Sequence, residues 1–235
     1  MIITVFTANK LRHEYLIYKL SKSAEKLFVF QEEKRKKKKK GSYIIKYLKK
    51  VSEAERKIFK SKKKLQANTK VIKLKYGDLG NLEIKKNLEF FQSDLYVVFG
   101  TSIIKGKLLN FLLKKKAINI HMGVSPYYNG TDCNFWAIFD NNKHLVGGTL
   151  QSLSKKVDQG NIISVVKSRV KKNIYDFSMI SVKLIIDKLS NIVINKTILS
   201  KKRKKQNLRK NIRNTKSNHF TNEVVKKFFD SKLKI

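Results

Sequence analysis

The chain has 235 residues, 41% of them hydrophobic and 10% aromatic, so it can bury a core of single-domain size and is not globally disordered. Its 54 Lys and Arg face 17 Asp and Glu, a formal net charge of +37. A single cysteine, Cys133, excludes an intramolecular disulfide framework, and no apolar run reaches the roughly 20 residues of a transmembrane helix. The charge permits binding to nucleic acid or an anionic surface. However, the excess is mostly lysine, a point charge poorly suited to bidentate base reading, and it is spread in runs at 34–40, 60–64, 114–116 and 201–205. We read it as compositional bias, with nucleic-acid binding not favoured. The first six residues lack the basic leader and cleavage site of a signal peptide, so a cytoplasmic location is expected.

In chain order, residues 2–6 predict a buried first strand, and Leu11, Tyr15, Leu16 and Leu20 a helix. Residues 27–30 suggest a second strand. Tyr43, Ile44, Tyr47, Leu48 and Val51 recur at helical spacing, predicting one or two amphipathic helices between 31 and 67, with the 34–40 lysine run as a solvated, mobile connection. A strand at 71–74 and a helix at 82–91 follow. DLYVVFG (94–100) reads as a strand buried on both faces and ending in a glycine turn. Helix 102–113, strand 117–122, helix 131–140, strands 147–153 and 162–170, and a long helix 174–194 complete the alternation. This order predicts an α/β fold: a Rossmann-like, mainly parallel sheet with helices on both faces and its ligands at the strands' carboxyl ends. We place one domain at 1–199. A basic extension at 200–235 carries a short helix capped by Thr221, and its Val224, Val225, Phe228 and Phe229 face could pack on the core or on a second copy as a homodimer.

Chemistry concentrates in AINIHMGVSPYYNG (117–130) and VDQGNII (157–163). Asn119 and His121 are two apart, so on a strand they share a face. Asp158 follows after enough chain for a helix and a strand. A buried Asp fixes the tautomer and orientation of a His, and an Asn amide can donate to a developing oxyanion, so the trio is equipment for acyl-group chemistry. Elsewhere the plain readings prevail. Trp136 packs in the core, Cys133 is a small helix residue, and His144 and His219 are exposed. His13 is divided evenly between the surface and a ligand contact. Four histidines without Cys/His clustering carry no metal signature.

Together, Asn119-Ile-His121, the loop Ser125-Pro126-Tyr127-Tyr128-Asn129-Gly130, Trp136-Ala137, Gly148-Thr149 and Asp158-Gln159-Gly160 resemble the folate-dependent formyltransferases. That family includes the sugar N-formyltransferases, methionyl-tRNA formyltransferase and glycinamide-ribonucleotide formyltransferase. The likeness is best over roughly 70–170. The chain departs from many members at Met122-Gly-Val-Ser-Pro126, at Asn129 in place of an Arg, and at Gln151 in place of a His.

The resemblance implies transfer of a formyl group from 10-formyltetrahydrofolate to an amine, without a metal. Asn119 and His121 would stabilise the oxyanion, and Asp158 would orient His121 and help move the proton. The folate pocket would involve Phe99, Gly100, Thr101, Ile103, Ile104, Val124, Ser125, Pro126, Val157 and Gly160. The acceptor side would involve Asn9, His13, Tyr127, Tyr128 and Gly130. The opening Asn9-Lys-Leu-Arg-His13 and the tyrosine loop look most like members acting on nucleotide-linked amino sugars of surface polysaccharide. The alternatives are methionyl-tRNA or glycinamide-ribonucleotide formylation, hydrolysis of the donor, and a non-catalytic basic RNA-binding protein on the same scaffold.

Overall fold

The computed structural model describes residues 1–33, 41–60, 64–169, 171, 173–198 and 200–231, apart from the side chains of 85–88; the 34–40 lysine run and most of 60–64 lie outside these residues. In chain order the elements are β1 (Ile2–Ala8), α1 (Leu11–Ser21), β2 (Lys26–Glu32), α2 (Ser42–Phe59), β3 (Thr69–Leu74), β4 (Leu95–Phe99), α3 (Gly106–Lys114), β5 (Ile118–His121), β6 (Tyr128–Gly130) and α4 (Cys133–Phe139). Then come β7 (Gly147–Ser152), β8 (Ile162–Lys167), α5 (Ile174–Ile194), β9 (Arg213–Thr215) and α6 (Asn222–Asp230).

Seven strands form one sheet in the order β3-β2-β1-β4-β5-β7-β8. The pairings from β3 to β5 are parallel, and β7 and β8 add antiparallel. The α/β architecture therefore agrees with the sequence. The strand order reverses between β1 and β4, and at such a switch point the loops leaving the carboxyl ends diverge and open a crevice.

Strand β4 shows why the sheet is covered on both faces. Leu95, Val97 and Phe99 join one apolar cluster with residues of α1 and α5, whereas Tyr96 and Val98 join another with α3. All five are buried, as a continuous apolar strand requires. A third cluster gathers Val124, Tyr128, α4 and Phe177 with Val225 and Phe228 of α6. The α6 face therefore packs on its own core, with Thr221 accepting from Val224 N as its cap.

Two expected helices differ. Residues 82–91 give a 3₁₀ segment (Ile84–Phe91), in which adjacent Phe90 and Phe91 are both buried against Phe30, the first edge-on and the second stacked. The helix expected from 102 starts only at Gly106. Before it, Ser102 N and Oγ donate to the buried Glu32 carboxylate at 2.6 and 2.8 Å, which holds the chain away from helical geometry.

Candidate active site

Strand β5 turns Ile118 and Ile120 into the core and presents Asn119 and His121 on the opposite face, at the carboxyl end of the sheet. Asp158 meets them from the β7–β8 connection, with φ at +54°, a left-handed conformation that non-glycine residues seldom adopt. Its Oδ1 accepts from Asn119 Nδ2 and Gln151 Nε2, both at 3.1 Å. Its Oδ2 accepts from Gly130 N at 2.9 Å and pairs with His121 Nδ1 at 3.2 Å. The other ring nitrogen, His121 Nε2, donates to Tyr128 O at 2.8 Å.

Both ring nitrogens of His121 thus face acceptors. A neutral imidazole would turn one lone pair toward an oxygen, whereas the imidazolium satisfies both contacts. Burial opposes that charge, but the Asp158 carboxylate, aided by Cys133 beside the ring, holds the His121 pKa well above its ordinary value. Burial likewise opposes ionisation of Asp158. The His121 charge, then the bonds from His121, Gly130 and Asn119, keep its pKa below the usual carboxylate value. The pair is a buried ion pair with one spare donor, the second N–H of the Asn119 amide.

The trio lines a cavity of about 340 Å³. Phe99, Gly100, Thr101, Ile103, Ile104 and Val157 line it as expected. Val124, Ser125, Pro126 and Gly160 do not, because they are buried beneath it. Val124 sits in the third cluster, and Ser125 is bonded to Thr149 and Gln151. A β-carbon on Gly160 would collide with Ser152 O, so that glycine serves close backbone packing. Leu109, Gln151 and Leu153 also line the cavity, and of these Leu153 carried no signal in the sequence.

A second cavity of about 270 Å³ adjoins the first through Met122 and Gly130. Of the five expected acceptor residues, only Gly130 lines it. Asn9 is exposed in the β1–α1 turn, and its neighbours Lys10 and Arg12 face the cavity instead. His13 is buried under Phe99. Its Nδ1 donates to Thr7 Oγ1, whose own hydrogen goes to Phe99 O. Tyr127 packs on the third cluster. The Tyr128 side chain is buried and its hydroxyl bonds Asp140, so what it gives the site is its carbonyl. Cys133 is not chemically isolated, because it lies against His121 and lines this second cavity. Among the described residues, no group of His, Cys, Asp and Glu side chains is arranged to hold a metal ion.

Residues 204–215 run along the back of the 125–130 loop and the Asp158 loop. Lys204 pairs with Ile162 through two backbone bonds, and Gln206 Nε2 donates to Asp158 O, Gly160 O and Gln151 Oε1. Asn211 donates to Pro126 O, and β9 pairs in parallel with β6. Thr215 Oγ1 donates to Asn129 O and Thr131 O, while Arg213 makes a bidentate pair with Asp140.

A model of the formyl transferase family matches residues 11–184, a span that contains Asn119, His121 and Asp158. The chain belongs to the formyl transferase family. No curated protein matches it by sequence. Solved structures share the fold of this formyltransferase at low identity. A sugar N-formyltransferase from Shewanella sp. is 16% identical with a TM-score of 0.57, over 94% of this chain and 78% of that one. The N-formyltransferase of Helicobacter canadensis, solved with folinic acid and dTDP-3-aminofucose, is 17% identical with a TM-score of 0.56, over 94% and 73%. Phosphoribosylglycinamide formyltransferase of Streptococcus pneumoniae is 18% identical with a TM-score of 0.54, over 84% and 99%. No helix among the described residues is long and apolar enough to cross a membrane.

Proposed function

We propose that the protein transfers a formyl group from 10-formyltetrahydrofolate to the amine of a nucleotide-linked amino sugar, acting in the cytoplasm. The observation that carries this reading is the His121–Asp158–Asn119 cluster at the junction of two adjoining cavities. The larger cavity fits a reduced-folate ring. Phe99, Ile103, Ile104, Leu153 and Val157 supply apolar walls, and its polar end is the catalytic trio. The second cavity suits the acceptor, with Lys10 as a cation for an anionic carrier beside Arg12, which is itself paired with Glu55. The Helicobacter canadensis protein, similar in fold, was solved with a folate and an amino-sugar nucleotide together.

In this mechanism the acceptor nitrogen attacks the formyl carbon, and the carbonyl oxygen becomes an oxyanion. The free N–H of Asn119 donates to it, and the buried His121 charge stabilises it. Collapse breaks the bond to the folate nitrogen, which takes up, through water beside Asp158, the proton lost by the amine. Asp158 accepts four hydrogen bonds, so it serves chiefly to hold His121 charged and oriented.

A panel of nucleotide-linked amino sugars, glycinamide ribonucleotide and methionyl-tRNA, incubated with 10-formyltetrahydrofolate and read by mass, tests the acceptor. The expected result is a gain of one formyl group on an amino sugar. Transfer only to tRNA or glycinamide ribonucleotide would keep the chemistry and overturn the acceptor.

A further inference from the structure

Gln206 lies far from the matched family span yet directly behind the catalytic carboxylate, and it is only 8% exposed. We propose that Gln206, delivered by the C-terminal tract, is a positioning residue for Asp158, acting through the backbone of the Asp158 loop and through the Gln151 amide. The proposal deepens the formyl-transfer reading and rests on it for the reaction concerned.

Three acceptor oxygens converge on Gln206 Nε2: Gly160 O at 2.6 Å, Asp158 O at 2.9 Å and Gln151 Oε1 at 3.0 Å. A group with hydrogens to donate fits there, and a carboxylate or a bare methylene does not. Two of these bonds hold the main chain at Asp158 and just after it, at Gly160, where Asp158 is left-handed, a conformation that persists only when its surroundings hold it. The third decides which end of Gln151 meets the catalytic carboxylate. Gln206 and Ser125 Oγ occupy Gln151 Oε1, so Gln151 Nε2 is left to donate to Asp158 Oδ1. Without Gln206 only Ser125 Oγ holds the Gln151 oxygen, and the amide can more readily turn that oxygen against the carboxylate. Gln206 is itself placed by main-chain pairing, since Lys204 exchanges two backbone bonds with Ile162 at 2.7 and 2.8 Å.

The test is Gln206→Met, which keeps the side-chain length and removes the donor without changing charge. Steady-state kinetics are combined with NMR titration of the isotope-labelled His121 ring. The groups facing that ring are Asp158, Cys133 and the Tyr128 carbonyl, none of which the substitution alters. We expect kcat to fall on the order of 10- to 100-fold with little change in acceptor KM, as for a displaced catalytic group. The His121 ionisation should move down toward its ordinary value as Asp158 draws away. A double variant with Gln151→Met should be no slower than the worse single one. Should Gln206→Met not fold, Gln206→Asn, which draws the amide back by one methylene, carries the same expectations. An unmoved His121 titration overturns the proposal, whether or not kcat falls. The titration needs no substrate. A wild-type chain without formyl transfer, but with a shift in Gln206→Met, would therefore sink the reaction and uphold the positioning.

Discussion

Strand β5 and the tract 204–215 build the same site by opposite means. The strand carries two side chains of the candidate site on an alternating pattern, Ile118 and Ile120 inward, Asn119 and His121 outward, and the pattern alone places them. The tract is basic and poor in apolar residues, and composition reads it as surface. It acts through backbone carbonyls, through Gln206, Asn211 and Thr215, and through a three-residue parallel pairing. Hydrophobic periodicity finds the elements of a core, whereas loops held by main-chain hydrogen bonds leave almost no local signature.

The largest effect is expected at Gly130, which joins the tract to Asp158. Its N–H serves Asp158, its φ is +94°, and a β-carbon there would collide with Thr215 O. Gly130→Ala is expected to destabilise by about 2 kcal/mol or more and to abolish most turnover. Thermal melts and kinetics at a temperature well below the variant's midpoint check both effects. A variant as stable and active as wild type would mean that the tract merely lies on the site.

The next effect belongs to the strand's side. His121 has a raised pKa, so its stabilisation is fully present below its ordinary value of 6.5 and is lost as pH rises through the raised folded value. Asp158 has a lowered pKa, so its share is fully present above 3.8 and is lost as pH falls through the depressed folded value. Denaturant melts across pH should therefore show the pair's full contribution between about 3.8 and 6.5, with losses beyond each folded value. In Asp158→Asn that dependence should flatten. The mildest change is Tyr128→Phe on the tract's side. It removes the hydroxyl that bonds Asp140 and Asn142 and leaves the carbonyl that holds His121. A loss of about 1 kcal/mol in stability with near-normal turnover is expected, since the backbone is what serves the site.

Most of the sheet and the trio were legible in the sequence. The apolar run of β4 and the Asn-x-His spacing of β5 are local signals. The start of α3 was not legible, because Glu32 reaches across the sheet to hold Ser102. Nor was the second cavity, because Lys10, Arg12 and the residues of α2 and α5 that line it come together only in the fold. Pro126, Tyr127 and Tyr128 looked like ligand contacts, yet their loop is held down by Asn211 and β9. The partners that decide where a loop faces are remote in sequence, and no window of adjacent residues contains them.

The central claim is that the buried His121–Asp158 pair drives formyl transfer from a reduced folate. Single-turnover transfer of a ¹³C-labelled formyl group from 10-formyltetrahydrofolate, in wild type and in Asp158→Asn, tests it most directly. The account predicts label on the acceptor amine in wild type and a rate lower by at least about 10²-fold in the variant. Equal rates in the two proteins, or no labelled amine with any acceptor in wild type, would contradict it.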